Sequence, residues 1–88
     1  MDIELARTFL EIVSTGSFAR AAEQLHVTNS TVTMRVKTLE EILNTRLLIR
    51  NKSGVTLTAS GVRFQRFAEA LVYYAGAAAT NSSSSPQS

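Results

Sequence analysis

The sequence predicts a mainly α-helical fold carrying one small β-hairpin. Three observations lead there. Apolar residues recur at helical spacing in four separate segments. Each of those segments begins at an Asp, Ser or Thr suited to capping a helix. Between the third and the fourth, helical spacing gives way to two short apolar runs around a polar tip. The 88 residues hold one small domain, and 44% apolar with 18% charged residues is a globular composition.

Asp2 is placed to cap a first helix over 3–14. Ile3, Ala6, Leu10 and Val13 form one apolar stripe on it, and Leu5, Phe9 and Ile12 form a second. A helix that is apolar on two faces is sandwiched, so one stripe is expected to meet the domain and the other a partner. Ser14-Thr15-Gly16 ends the helix, with Gly16 suited to a left-handed position. Ser17 caps a short second helix over 18–25, where Phe18, Ala21, Ala22 and Leu25 follow i, i+3, i+4, i+7 and the alanines permit a close neighbour.

His26-Val27 makes a tight connection to a third helix over 29–43, capped by Thr28 and closed by Asn44, which tolerates a left-handed backbone. Its inward stripe is Val32, Val36, Leu39 and Leu43. Leu47-Leu48-Ile49 and Val55-Thr56-Leu57 then read as two strands around Asn51-Lys52-Ser53-Gly54. Thr58 caps a fourth helix running to 79, along which Phe64, Phe67, Leu71, Tyr74 and Ala78 recur at alternating spacings of three and four. That is the spacing of a coiled-coil seam, with burial on one domain face as the alternative for so short a run. The expected organisation is a hairpin-bearing helical unit over 1–58, a linker and dimerisation helix over 59–79, and a disordered Ser-rich tail over 80–88.

Composition excludes several classes of function. The absence of cysteine removes a disulfide scaffold, a thiolate zinc site and a thiol nucleophile, and it fits a reducing cytosol. The N-terminus is acidic where a signal peptide would be basic. The apolar part of the longest uncharged stretch ends at Ala79, short of the ~20 residues that a membrane span requires. A soluble cytoplasmic protein is expected. His26 is the only histidine and lies in a turn, Glu40 and Glu41 point about 100° apart on their helix, and the four glycines are scattered. Lys37 and Glu41 are spaced as a surface ion pair. No enzyme, metal, cofactor or small-molecule site is expected from such residues.

The formal charge is only +2, but its distribution is uneven. Asp2, Glu4 and Glu11 outnumber Arg7 in the first helix, whereas Arg20, Arg35, Lys37, Arg46, Arg50, Lys52, Arg63 and Arg66 dominate the middle. A basic middle points to nucleic acid, and a solvated surface accounts for the same charges. Geometry favours the first. Two short helices joined by a tight turn form a helix-turn-helix, and the basic-tipped hairpin adds a wing. On the third helix Ser30, Met34 and Lys37 point away from the inward stripe, with Asn29 and Thr33 on the flank. Short hydroxyls and an amide allow close approach to base edges, and Asn can pair bidentately with adenine. Asn29, Ser30, Thr33 and Met34 are the expected base-edge residues. Thr28, Arg35, Lys37, Arg50 and Lys52 are the expected backbone contacts, with Ser53 beside Lys52 at the wing tip and Thr31 within the same DNA-facing set. The different-class alternative is an interaction module that pairs with a full-length regulator without binding DNA itself.

The sequence resembles the N-terminal DNA-binding domain of the LysR-type bacterial transcription regulators. The likeness lies in Phe9 to Val13, Gly16 to Leu25, Val27 to Thr33, Leu39-Glu40, Arg46 to Arg50 and Gly54 to Gly61, and it covers residues 2 to about 75. It implies a homodimer joined through the fourth helix, with recognition helices in successive major grooves of an interrupted inverted repeat and wings near the minor groove. The dimer interface then comprises Phe64, Phe67, Leu71, Tyr74 and Ala78, aided by the spare stripe of Leu5, Phe9 and Ile12. The family's larger effector-sensing domain has no counterpart in these residues, so a truncated regulator or an excised domain is expected. Asn29 stands where the family commonly has Gln, Thr33 where Ser is usual and Met34 where Arg is frequent, which bears on the bases read. Asn44 for a common Gly and Leu48 for a common Phe are expected to be structural.

Overall fold

The computed structural model describes the backbone of residues 2–83 and the side chains of residues 2–76. Its elements are α1 (Ile3–Thr15), α2 (Phe18–Leu25), α3 (Asn29–Leu43), β1 (Leu48–Asn51), β2 (Gly54–Leu57) and α4 (Ala59–Ser83). Every helix starts at the side chain expected to cap it. Asp2 accepts from the Glu4 amide at 3.0 Å, Ser17 from that of Arg20 at 3.2 Å, Thr28 from that of Thr31 at 3.1 Å and Thr58 from that of Gly61 at 2.9 Å. Each such bond satisfies a donor that the first helical turn leaves unpaired. The first three helices end in left-handed residues: Gly16 at φ 71°, His26 at φ 59° and Asn44 at φ 54°.

The core gathers the inward stripes of all four helices. Ala6, Phe9, Ile12, Ala21, Val32, Leu39, Leu47 and Ala68 are wholly buried, with Phe18, Ala22, Val36, Leu48 and Phe64 close behind. Phe9 and Phe64 meet edge to face in a T-shaped pair with centroids 5.2 Å apart. This geometry sets the positive ring edge against the negative face.

That pair corrects two expectations. Leu5, Phe9 and Ile12 were the stripe expected to face a partner, but α4 of the same chain folds across α1 and buries them. Ile3, Leu10 and Val13 of the other stripe are only half-buried. The α4 seam also divides. Phe64 belongs to the chain's own core and Leu71 packs partly against it, together with Ala68 and Val72. Phe67 and Tyr74 lie outside it, 54% and 68% exposed, and Tyr73 stacks edge-on against Tyr74. The side chain of Ala78 lies outside the described residues. α4 continues through Ser83, past its expected end at 79, and 84–88 of the Ser-rich tail lie outside the described residues.

The hairpin is antiparallel, with Leu48 opposite Leu57, Arg50 opposite Val55 and Asn51 opposite Gly54. A two-stranded hairpin is marginal alone and needs anchoring. α3 supplies one anchor: Glu40 Oε2 accepts from the backbone N–H groups of Leu47 at 2.7 Å and Leu48 at 3.2 Å, and Arg46 lies 3.8 Å from the same oxygen. α4 supplies the other. The Thr58 amide donates to the Leu47 carbonyl at 3.0 Å, and the Thr58 hydroxyl to the Arg46 carbonyl at 2.6 Å. Gly61 makes this junction possible, because a Cβ there would run into the Leu47 carbonyl oxygen and crowd Leu57. Among the described residues no helix is long and apolar enough to cross a membrane.

Replacing Glu40 with Ala leaves two amides at the α3–β1 junction without their acceptor. A loss of about 1–3 kcal/mol is expected, read as a lower urea midpoint with an unchanged denaturant slope. An unchanged midpoint would show that water replaces the carboxylate at no cost.

Candidate nucleic-acid interface

Burial of Val32, Val36 and Leu39 fixes the rotation of α3 and decides which side chains it presents. Asn29, Ser30, Thr33, Met34 and Lys37 are all exposed and line one shallow surface, with Met34 at 61%. This is the face expected from the sequence. Asn29 and Ser30 stand in the first turn, where backbone amides and the positive end of the helix dipole face outward. Glu40 and Glu41 come only in the last turns of the helix.

The remaining α3 residues divide into two groups. Thr28 is exposed, but its hydroxyl is engaged in the cap and lies 2.9 Å from that of Thr31. Thr31 is half-buried, so this pair shapes the helix start while Asn29 and Ser30 carry its reach. Arg35 departs from expectation. Its guanidinium turns toward α1, donating to the Thr8 hydroxyl at 3.3 Å and lying 3.8 Å from Glu4. Thr8 is the one buried polar side chain among the described residues, and its hydroxyl donates to the Glu4 carbonyl at 2.8 Å. Position 35 stands three residues after the buried Val32 and four before the buried Leu39, so its stem lies along the inward stripe and its charge braces α1 against α3.

The wing carries its cations differently. Lys52 and Ser53 form the exposed tip, shaped by Asn51, whose Oδ1 accepts from the Ser53 amide at 3.1 Å and its hydroxyl at 2.9 Å. Arg50 is exposed, yet its guanidinium carbon lies 4.1 Å above the ring of Phe18 on α2. A crevice of about 150 Å³ joins Arg50 and Phe18 to Thr33 and Lys37, connecting wing to recognition helix. Among the described residues the ion pairs are Arg35–Glu4 and Arg46–Glu40. Lys37, Arg50 and Lys52 are in neither pair, and the expected surface pair of Lys37 with Glu41 does not form.

Sequence reasoning missed the Glu40 clamp and the Phe18–Arg50 contact. Neither follows from helix or strand periodicity: Glu40 reaches across the turn that follows α3, and Phe18 and Arg50 lie far apart in the chain. The structure places His26 in the α2–α3 turn, exposed and left-handed.

A helix-turn-helix made of α2 and α3, followed by the β1–β2 wing, makes this a winged helix-turn-helix protein. Residues 3–62 match the model of the bacterial regulatory helix-turn-helix proteins of the lysR family, and the chain belongs to that family. It is 43% identical over 72 residues to the HTH-type transcriptional regulator HdfR of Escherichia coli, and equally to that of Escherichia fergusonii. The alignment takes in 82% of this chain and 26% of HdfR, so the chain spans about a quarter of the length of the curated relatives it matches. Among solved structures, CbnR_DBD in its DNA complex superposes with a TM-score of 0.88 at 30% identity, over 99% of this chain and 100% of that one. BenM_DBD with catB site 1 DNA gives 0.86 at 27% identity, again over 99% and 100%. Vibrio fischeri DarR in complex with DNA gives 0.90 at 27% identity, over 96% of this chain and 29% of that one.

Proposed function

We propose that this protein binds double-stranded DNA sequence-specifically as a homodimer and regulates transcription from an interrupted inverted repeat. The observation that carries the reading is the α3 face. Five short or flexible side chains, Asn29, Ser30, Thr33, Met34 and Lys37, stand exposed together, and no carboxylate interrupts them before Glu40. A recognition helix needs that face to enter a major groove. Asn29 is suited to adenine, Ser30 and Thr33 to several base edges, and Met34 to apolar contact with a thymine methyl. Lys37, Arg50 and Lys52 supply the charge for phosphates, and the outward amides at the start of α3 supply further donors. Family membership and the DNA complexes of CbnR_DBD and BenM_DBD, which share this fold, support the same reading. So large a polar and basic helix face is not what a purely protein-pairing module requires.

Dimerisation is assigned to the outer face of α4, where Phe67 and Tyr74 are exposed beside the half-buried Leu71. Such aromatic surface on a helix that already buries its inner side calls for a partner. Action on the chromosome places the protein in the cytoplasm.

DNA affinity is expected to fall steeply with salt, with a log–log slope of about −0.9 for each phosphate neutralised. Lys52→Ala is expected to shrink that slope and weaken all sequences alike. A flat titration series would overturn DNA binding. Met34→Arg adds a fork able to grip guanine, worth about 1–3 kcal/mol of discrimination. Binding-site selection is expected to move toward G at one position per half-site, and an unchanged consensus would remove Met34 from the bases. Phe67→Asp combined with Tyr74→Asp is expected to sediment as a folded monomer and to lose the affinity gained by linking two half-sites. An unchanged dimer would put the interface elsewhere.

A further inference from the structure

Arg50 stands out among the basic residues by how it is held. Arg35 and Arg46 are steadied by the carboxylates of Glu4 and Glu40, which offset their charge. Arg50 is steadied by an aromatic face: its guanidinium carbon lies 4.1 Å from the centroid of the Phe18 ring. An aromatic face attracts a cation through its quadrupole and carries no net charge of its own. It also accepts none of the five guanidinium N–H donors in the ring plane. A guanidinium lying on such a face is therefore restrained and still fully able to bind an anion.

The surroundings give this restraint a direction. The Phe18 side chain is 5% exposed, packed in the core at the first turn of α2, so its ring is a fixed platform. The Arg50 backbone is fixed as well, paired with Val55 across the hairpin. Between platform and strand the side chain is brought into the crevice that also contains Thr33, Lys37 and Glu40 of α3, the Glu40 carboxylate being engaged there by the Leu47 and Leu48 amides and by Arg46. The wing's cation is thus set beside the recognition helix instead of moving freely in solvent. A long side chain that is ordered before it meets its ligand loses less rotamer freedom on binding.

We propose that Phe18 is the positioning residue for Arg50, holding the wing's guanidinium against the α3 face so that it meets the DNA backbone already ordered. The proposal rests on the DNA-binding reading above. It gives α2 a part in recognition beyond supporting α3: the ring couples the helix-turn-helix to the wing, and the ligand class is the phosphodiester anion of duplex DNA.

The test is a thermodynamic cycle with the full chain and a mixed-sequence double-stranded oligonucleotide. Phe18→Leu keeps an apolar side chain in the core and removes the π face. Incorporating a ring-fluorinated phenylalanine at position 18 keeps the shape and drains the negative face. At low salt Phe18→Leu is expected to weaken binding about threefold to tenfold, with fluorination giving a graded, smaller loss. Both losses are expected to vanish in an Arg50→Gln background. The ring-current shift of the Arg50 side-chain protons is expected to disappear in Phe18→Leu and to persist in the fluorinated protein. Thermal unfolding of each variant separates lost stability from lost binding. Equal losses with and without Arg50 would assign Phe18 to the core alone and overturn the proposal, as would unchanged affinity in the fluorinated protein. If the unaltered protein fails to bind the duplex at all, the DNA reading falls and takes the role of Phe18 with it. If it binds with steep salt dependence while the position-18 variants bind equally well, only the role of Phe18 falls.

Discussion

Everything in this domain is packed around α1. Its Ala6, Phe9 and Ile12 are wholly buried, and the helix contacts α2, α3, α4 and β2. A chain of this size cannot support two cores, so one helix must present apolar surface around most of its circumference and let the others share it. Phe9 is the centre of that arrangement through its edge-on contact with Phe64. The wholly buried alanines at 6, 21 and 68 lie on α1, α2 and α4, where a larger side chain would force the helices apart. Deleting the Phe9 ring would cost about 3–5 kcal/mol, a large part of what a small domain has.

The exposed face of α3 is a consequence of that core. Once Val32, Val36 and Leu39 are committed inward, the rotation of α3 is settled and Asn29, Ser30, Thr33, Met34 and Lys37 have only solvent to face. The wing has no core of its own and takes its position from two polar junctions. Glu40 holds Leu47 and Leu48 from one side, while Thr58 and the bare α-carbon of Gly61 hold Leu47 from the other. Recognition helix and wing are thereby fixed to each other through a few hydrogen bonds around one residue.

The basic residues divide by what holds them. Arg35 and Arg46 face carboxylates and act as braces, one between α1 and α3, the other at the base of the wing. Lys37, Arg50 and Lys52 stand on one side of the molecule with no carboxylate partner among the described residues. A net charge of only +2 therefore understates the local field, since Asp2, Glu4 and Glu11 gather at α1 and Glu40 is engaged at the base of the wing. Long-range steering of any anionic partner depends on how charge is distributed more than on the total.

Local features of the chain were sufficient for the elements and for the exposed face of α3. Caps at Asp2, Ser17, Thr28 and Thr58, left-handed stops at Gly16 and Asn44, and the i, i+3, i+4 stripes all act within a few residues, so order along the chain contains them. Long-range choices were not contained there. Two stripes on α1 looked equivalent, and only the path of α4 determined that Leu5, Phe9 and Ile12 go inside while Ile3, Leu10 and Val13 stay half-buried. The same path divided the α4 seam, taking Phe64 into the core and leaving Phe67 and Tyr74 outside. Periodicity marks which residues share a helix face but says nothing of what that face will meet. Arg35 illustrates the same point for charge: it belongs to a basic stretch in the sequence, but in space Glu4 and Thr8 of α1 lie within its reach. The contact of Phe18 with Arg50 exists only after the core has brought distant segments together, and that of Glu40 with Leu47 only once the chain has turned back from α3 into the hairpin; it is tertiary packing that turns those residues into a platform and a clamp.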